Sequence, residues 1–231
     1  MQQVNFDRIN TLDYRSNEAY KSLRTNILFC GNFVKTICLT SCLPNEGKSN
    51  ISFRLATAFA ESGKKIIFVD ADLRKSIIIG RYKLDREVIG LAHYLSGQCN
   101  IDDVLYETNV NNLDIIFTGP VPPNPVELLG STQFQELIIQ LRKSYDYVII
   151  DTPPLGSVID SAVVAEFCDG VIFVIEANTV SCKIALKVKS QLQKGNSRIL
   201  GAVLNKVDLN GGQYGYYGGK YKKYEKKYYT A

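Results

Sequence analysis

A short loop with the sequence Ser-Cys-Leu-Pro-Asn-Glu-Gly-Lys-Ser, residues 41–49, constrains the fold more than any other part of the chain. It follows an apolar run at 36–39 and opens a helical pattern at 48–62. In that context, backbone N–H groups and the helix N-terminus attract phosphate groups, a lysine reaches the outer phosphates and a hydroxyl binds magnesium. The chain is therefore predicted to be a P-loop nucleotide-triphosphate protein. Its predicted phosphate-binding residues are Pro44, Asn45, Glu46, Gly47, Lys48, Ser49 and Asn50.

Two positions in this loop depart from the most common pattern. Cys42 stands where the first glycine is usual, and Asn45 stands where a further glycine would not be surprising. Asparagine tolerates the left-handed backbone better than most residues, so the loop geometry is still expected.

Strand and helix signals alternate along the chain. Apolar runs predict strands at 36–39, 66–69, 113–117, 147–150, 171–175 and 199–204, and helical patterns fall at 18–29, 48–62, 131–143, 158–168 and 180–194. Gly63 and Gly195 stand where C-terminal helix caps belong. Strands that are apolar on both faces indicate a buried parallel sheet. We expect an α/β fold with a three-layer, doubly wound, mostly parallel sheet in a single domain.

Length, composition and charge exclude several classes of protein. The 231 residues suffice for one sizeable domain, and no apolar run reaches the roughly 18 residues that a membrane span needs. Because no signal peptide is visible either, a cytoplasmic protein is expected. The six cysteines form no Cys-x-x-Cys pair and His93 is the single histidine, which argues against zinc. The formal net charge of +4 equals that of the last 18 residues, so the remaining body is neutral and nucleic-acid binding is not expected.

Carboxylates end two of the predicted strands. Residues 66–74 read Ile-Ile-Phe-Val-Asp-Ala-Asp-Leu-Arg, and residues 148–154 read Val-Ile-Ile-Asp-Thr-Pro-Pro. Ligands of open α/β sheets bind outside the carboxyl ends of the strands. Each aspartate alone could cap a turn. Beside a phosphate loop, however, Asp70, Asp72 and Asp151 would repel one another unless a cation holds them, and Mg²⁺ prefers such oxygen ligands.

Together these motifs resemble the bacterial tyrosine kinases of capsule and exopolysaccharide synthesis, in their cytosolic autokinase form. The resemblance covers nearly the whole chain and includes the stretches 18–29 and 118–129 and a C-terminal tyrosine cluster. It implies ATP and Mg²⁺ as cofactors, with Lys48, Asp70, Asp72 and Arg74 as catalytic residues. Asp70 would accept the tyrosine proton, and Lys48 would stabilise the transferred phosphoryl group. Ser49, Asp72 and Asp151 would bind magnesium, and Asn205 would lie near the adenine base.

The C-terminal segment changes to Gly, Tyr and Lys after Asp208. We therefore divide the chain into an N-terminal arm at 1–16, a P-loop kinase domain at 17–208 and a flexible tail at 209–231. The tail could be a merely sticky segment, or one whose tyrosines stack on bases. By resemblance it is the autophosphorylation cluster, with the phosphoacceptors Tyr214, Tyr216, Tyr217, Tyr221, Tyr224, Tyr228 and Tyr229.

The resemblance also implies partners. The family's self-association motif is Glu-x-x-Arg-x-x-Arg, and this chain has Glu18, Lys21 and Arg24 at those positions. We expect these residues to form the interface of a homo-oligomeric ring, although an ordinary solvated i,i+3 pair would look the same. A transmembrane polysaccharide co-polymerase would activate the kinase and recruit it to the inner face of the cell membrane. A protein-tyrosine phosphatase would remove the phosphate groups from the tail tyrosines.

Three other functions fit parts of the sequence. Residues 205–208, Asn-Lys-Val-Asp, match the guanine-reading motif of GTPases, but residues 151–154 lack the Asp-x-x-Gly that such proteins carry. A P-loop ATPase that positions plasmids or division sites would share the fold. That class carries an additional lysine early in the loop, which residues 41–44 lack. A non-enzymatic assembly factor would use the tail only to bind partners.

Overall fold

The computed structural model describes residues 2–6, 12–82, 88–195 and 197–208, with the side chains of residues 81 and 82 left aside. Its strands are β1 Gln2–Val4, β2 Thr36–Ser41, β3 Ile66–Asp70, β4 Tyr106–Thr108, β5 Leu113–Ile116, β6 Tyr147–Asp151, β7 Gly170–Glu176 and β8 Ile199–Asn205. Its helices are α1 Tyr14–Leu28, α2 Lys48–Ala60, α3 Ile78–Tyr82, α4 Leu91–Leu95, α5 Ile101–Val104, α6 Pro125–Leu129, α7 Thr132–Ser144, α8 Asp160–Ala165 and α9 Cys182–Lys194.

The strands form one sheet in the order β1-β4-β5-β3-β6-β2-β7-β8, in which the paired neighbours are parallel except for β4 and β5. Alternate residues of the central strands enter two different cores. In β3, Ile67 and Val69 belong to one core, and Ile66 and Phe68 belong to the other. Because successive side chains of a strand point to opposite faces, the sheet is covered on both sides. The predicted three-layer, mostly parallel architecture is therefore confirmed.

All six predicted strands occur, with small shifts at their ends. The predicted helices also occur, although α8 is shorter than the 158–168 that its apolar spacing suggests. Gly63 follows α2 with a left-handed φ of +83°, as its position predicted. Gly195 is the C-cap of α9 but has a φ of −81°.

The N-terminal arm is a correction to the sequence analysis. The sequence analysis treats residues 1–16 as an arm outside the kinase domain, but Gln2–Val4 pairs in parallel with β4 at one edge of the sheet and α1 already begins at Tyr14. Val4 and Phe6 are buried, and the Phe6 ring meets the rings of Phe53 and Phe117 edge-on. Three residues are too few to show a strand period, so no periodic pattern predicts this strand. Within the described ranges, no helix is long and apolar enough to cross a membrane.

Candidate active site

The loop between β2 and α2 adopts the backbone that phosphate binding requires. Asn45 has a φ of +66° and Gly47 a φ of +88°, so both occupy the left-handed region. The result for Asn45 confirms its prediction. At Gly47 a side chain would also collide with Asn205, whose Nδ2 lies 2.2 Å from the position of a Cβ. Glycine is therefore required there both by the backbone and by the available space.

Two side chains outside the Gly-Lys-Ser signature hold the loop in place. Glu46 is buried, and its carboxylate accepts hydrogen bonds from the backbone N–H groups of Leu43, at 2.6 Å, and Glu176, at 3.0 Å. Asn205 Nδ2 donates to the Glu46 carbonyl at 2.7 Å. The Glu46 side chain therefore braces the loop internally, and β7 and β8 determine the position of the phosphate loop.

Cys42 occupies the position of the usual first glycine without disturbing the loop. Its side chain is fully buried, and burial together with the nearby Glu46 carboxylate raises the pKa of its thiol to about 11. The loop after β6 approaches the backbone of this residue closely, because a Cβ on Gly156 would lie 2.0 Å from the Cys42 carbonyl oxygen. Glycine at position 156 therefore allows the two loops to pack against each other.

Lys48 and Asp151 form a buried ion pair at the base of the site. Lys48 Nζ donates to Asp151 Oδ1 at 2.8 Å, and the exposed fractions of the two side chains are 6% and 1%. Lys48 Nζ also lies 3.1 Å from Ser49 Oγ, and Ser52 Oγ donates to the same carboxylate oxygen at 2.8 Å. The structure therefore brings together Lys48, Ser49 and Asp151, which the sequence assigned to one site.

Asp70 lies beside Asp151 on the neighbouring strand and is fully buried. Burial, and after it the Asp151 charge, raise the pKa of its carboxyl group to about 8. The Ser76 hydroxyl, which donates to Asp70 Oδ2, and the Lys48 ammonium group only partly oppose that rise. A carboxylic acid in this position retains its proton at neutral pH and can release it when the surrounding charge changes.

Asp72 and Arg74 line the open part of the site. Asp72 Oδ1 accepts hydrogen bonds from the backbone N–H groups of Arg74, at 3.3 Å, and Lys75, at 3.0 Å, so this aspartate also orders the turn after β3. The Arg74 guanidinium forms a two-point contact with the fully buried Asp160, with distances of 2.8 and 3.2 Å. Sequence reasoning missed Asp160, because it lies 86 positions from Arg74.

These groups surround a cavity of about 990 Å³. Of the predicted residues, the cavity is lined by Pro44, Asn45, Glu46, Gly47, Lys48, Ser49, Asn50, Asp72, Arg74 and Asn205. Asp70 and Asp151 lie behind this surface. The sequence analysis did not assign the further lining residues Arg54, Lys75, Ile77, Ser157, Val158 and Lys206.

Lys206 is part of the Asn-Lys-Val-Asp motif, and that motif was the only sequence signal for this residue. Its ammonium group donates to the Asn45 carbonyl at 2.9 Å and pairs with Glu176 at 2.8 Å.

Groups of the protein itself relieve repulsion among the three aspartates. The Lys48 ammonium group pairs with Asp151, and the raised pKa of Asp70 leaves that carboxyl group uncharged at neutral pH. Across the described parts of the chain, no group of three or more His, Cys, Asp or Glu side chains converges as a metal site. Magnesium binding by Ser49, Asp72 and Asp151 stays a prediction. The donor set fits it, because Mg²⁺ typically uses one or two carboxylates and completes its shell with phosphate oxygens and water.

The predicted interface residues lie on α1. Glu18 and Lys21 form an i,i+3 ion pair at 2.8 Å, and about half of each side chain is exposed. Arg24 differs from both, because its guanidinium donates to the Ala58 carbonyl in the last turn of α2 at 2.6 Å. Arg24 therefore attaches α1 to the helix that begins at the phosphate loop. The predicted phosphoacceptor tyrosines, and the proposed tail at 209–231, lie outside the described residues.

Replacing Asp160 by asparagine tests whether Arg74 needs its buried partner. We expect kcat for phosphoryl transfer to fall by about tenfold or more, because small misplacements of a positioned group are costly, with a smaller change in KM. Steady-state kinetics with ATP measures this. Glu176→Gln is the matched control, since it removes the acidic partner of Lys206 at the same cavity. Equal effects of the two substitutions on kcat would contradict a positioning role for Asp160.

Known proteins resemble this chain in sequence and in structure. Residues 34–199 match the family model described as AAA domain. The chain is 39% identical over 213 residues to the tyrosine-protein kinase CpsD of Streptococcus agalactiae, covering 92% of this chain and 93% of that protein. It superposes on the kinase domain of the Escherichia coli tyrosine kinase ETK with a TM-score of 0.81 at 32% identity, covering 85% and 77% of the two chains.

A more distant similarity concerns the alternative of a positioning ATPase. The septum site-determining protein MinD of Pyrococcus horikoshii, solved with Mg-ADP, gives a TM-score of 0.64 at 26% identity and covers 74% of this chain and 70% of that one. The similarity to MinD is thus weaker in sequence, in superposition and in coverage than the similarity to the tyrosine kinases.

Proposed function

Because the chain belongs to the bacterial protein-tyrosine kinases, we propose that it phosphorylates the tyrosines of its own C-terminal segment and so regulates capsule or exopolysaccharide synthesis. The observation that carries the proposal is the single cavity that joins the phosphate loop, Asp72 and Arg74 above the buried Lys48–Asp151 pair. Phosphoryl transfer asks mainly for positioning and for positive charge around the moving group. This cavity supplies both.

The proposed reaction uses few groups of the protein. Backbone N–H groups of residues 44–50 bind the nucleotide phosphates, and Lys48 balances negative charge on the transferred group. The tyrosine oxygen forms a bond to the terminal phosphorus, and the bond from that phosphorus to the ADP oxygen breaks. Because its pKa of about 8 keeps Asp70 protonated at neutral pH, Asp70 first releases its own proton to solvent, and its carboxylate then accepts the tyrosine proton. Magnesium, when bound by Ser49, Asp72 and Asp151, neutralises charge on the phosphate oxygens.

Asn205 lies at the phosphate loop, where its side-chain amide donates to the Glu46 carbonyl, and it lines the cavity. A place near the adenine base stays a prediction for this residue, as does ATP as the phosphoryl donor. Incubation of the purified protein with Mg-ATP or Mg-GTP, followed by phosphotyrosine detection, tests the nucleotide. We expect phosphotyrosine with ATP, and its loss in a variant with all seven tail tyrosines changed to phenylalanine. Undiminished signal in that variant would place the acceptor elsewhere.

Further partners follow from the same proposal. A transmembrane polysaccharide co-polymerase would activate the kinase and recruit it to the inner face of the cell membrane, and a protein-tyrosine phosphatase would reset the tail. The segment from Tyr214 to Ala231 has a formal charge of +4, and each phosphate adds about −1.5 to −2. Phosphorylated tails of neighbouring subunits would repel one another, so phosphorylation is proposed to loosen the ring.

Self-association is tested on α1 by the double substitution Glu18→Ala, Lys21→Ala. We expect the oligomer mass from light scattering to fall, because the exposed charge pair is removed while the Arg24 contact to α2 is kept. Arg24→Ala alone is less specific, since it also removes the hydrogen bond from α1 to the Ala58 carbonyl of α2. Glu61→Ala, Lys64→Ala is the matched control on another exposed surface. A wild-type protein that is monomeric at every concentration would refute the ring.

A further inference from the structure

Charge is divided unevenly between two parts of the chain. Residues 1–176 contain 16 basic and 21 acidic residues, a formal charge of −5, whereas residues 177–207 contain six basic residues and no acidic one. Four of these six are lysines of α9. A stretch of one sign beside a body of the other sign produces a surface that attracts anions.

Helix α9 presents its lysines on the side away from the core. It packs inward through Val188 and Leu192, which are buried. Lys183, Lys187 and Lys194 recur at spacings of four and seven, so they share one stripe on the opposite, exposed side. We call these three residues the α9 basic face. Among the ion pairs of the described residues, none involves them.

The uncompensated charge is concentrated in the first half of α9. At the far end, Lys194 shares a cavity of about 460 Å³ with Glu166, which places an acid near that lysine. Lys183 and Lys187 have no acidic residue within residues 177–207, and Lys183 also lies in the first turn of α9, where the partial positive charge of the helix N-terminus is concentrated. An anion is therefore attracted most strongly to these two lysines.

The chain's own C-terminal segment begins close to this face. Strands β7 and β8 are parallel and α9 connects them, so α9 begins at the same edge of the sheet where β8 ends. Residue 209 follows Asn205, the last residue of β8, by four positions. Covalent geometry allows residues 209–214 to span up to about 20 Å, which is also about the length of the 13-residue α9. Tyr214 and the later tyrosines are thus within covalent reach of the α9 basic face.

We infer that the α9 basic face binds the phosphotyrosines of the C-terminal segment once they have been formed. The inference rests on the proposed autophosphorylation. Each phosphotyrosine contributes three acceptor oxygens and about −1.5 to −2 of charge, which complement the ammonium donors of Lys183 and Lys187. The unmodified segment has a formal charge of +4 and is repelled by the same face. Binding therefore depends on phosphorylation and draws finished tyrosines away from the cavity at the phosphate loop.

The test supplies the segment as a peptide, so that it does not depend on kinase activity. Fluorescently labelled peptide 209–231, with all seven tyrosines phosphorylated or with none, is titrated with phosphatase-treated full-length protein in the absence of nucleotide. Anisotropy gives the affinity. We expect the phosphopeptide to bind about tenfold more tightly or better, and the difference to shrink as salt rises.

Two double variants that lose the same charge distinguish binding at the α9 basic face from nonspecific electrostatic attraction of the phosphopeptide to the protein. Lys183→Gln, Lys187→Gln is expected to weaken phosphopeptide binding by about fivefold, whereas Lys64→Gln, Lys143→Gln, which changes two exposed lysines elsewhere, is expected to stay within about twofold of wild type. Equal losses in both variants, or equal binding of the two peptides, would overturn the inference.

An anionic membrane is the competing occupant of the α9 basic face, and Leu186, 61% exposed, stands next to the lysines. Co-sedimentation with vesicles of phosphatidylcholine and phosphatidylserine tests that occupant with the same two variants. If Lys183→Gln, Lys187→Gln lost vesicle binding but kept phosphopeptide binding, the face would serve the membrane and the inference would be wrong.

Discussion

Replacing Lys48 by methionine is expected to lower phosphotyrosine formation by about 10²–10³-fold or more, because the reaction loses the buried ammonium group that we propose balances its developing negative charge. Initial rates of phosphotyrosine formation with Mg-ATP measure the loss. Lys206→Met is the matched control, since Lys206 lines the same cavity but is about half exposed and pairs with Glu176. It should retain most of the activity. Similar losses in both variants would show that general positive charge, and not Lys48, is needed.

The same substitution has a structural cost that the sequence did not reveal. The sequence motif predicts that Lys48 lies at a loop, where a side chain would be exposed. In the structure, however, its ammonium group is buried against Asp151. Methionine leaves that carboxylate without its cation, and breaking a buried pair costs about 3–5 kcal/mol. We therefore expect a clear decrease in Tm. Lys48→Arg keeps the positive charge and should lose less stability, so comparing the two variants separates unfolding from loss of catalysis.

Replacing Asp70 by asparagine is expected to abolish phosphoryl transfer and to stabilise the protein purified without nucleotide or magnesium. We expect activity to fall because the proposed proton acceptor is lost, a contribution of about 10²–10⁴-fold. Stability rises because burial and the Asp151 charge oppose an ionised carboxylate at this position, as its pKa of about 8 indicates. Asparagine can still accept the hydrogen bond from the Ser76 hydroxyl.

The raised pKa of Asp70 determines how the free energy of unfolding changes with pH. Between the usual pKa of an aspartate, 3.8, and the folded value of about 8, the folded state retains a proton that the unfolded state has lost. The contribution of Asp70 to the free energy of unfolding therefore decreases as pH rises through this window and levels off above about 8. The gain in Tm of Asp70→Asn over wild type should be larger at pH 8 than at pH 5, by at least about 2–4 °C.

A second carboxylate tests the specificity of the effect on activity. Asp114 on β5 is half-buried, burial raises its pKa, and its carboxylate accepts a hydrogen bond from Tyr145. Asp114→Asn should leave phosphoryl transfer nearly unchanged, because this residue lies outside the cavity. A Tm gain of Asp70→Asn that did not vary with pH would refute the account of Asp70, as would full activity in that variant.

The fold was predictable because its central strands are long and apolar on both faces. Strands β2, β3, β6 and β7 have that pattern. The Gly-Lys-Ser loop in addition predicts a strand before it and a helix after it, which are β2 and α2. Strands β1 and β4 were missed, since three residues cannot establish a period and tertiary pairing decides their conformation.

The site was predictable as a set of residues but not as a set of contacts. Motifs at strand ends identified Lys48, Asp70, Asp72, Arg74 and Asp151, because parallel strands bring their carboxyl ends to one edge. The partners of those residues come from remote positions that no local pattern reveals. Glu46 braces the loop through β7, Asp160 holds Arg74, and Arg24 joins α1 to α2.

Peptide-resolved mass spectrometry tests the central claim most directly. The purified protein is first dephosphorylated, then incubated with Mg-ATP or without nucleotide, and each tyrosine-containing peptide is quantified. The account predicts ATP-dependent addition of phosphate to peptides from residues 214–229, where seven of the chain's 14 tyrosines lie, and none in the Lys48→Met variant. Absence of phosphate on those peptides, or phosphate confined to the tyrosines before residue 209, would contradict it.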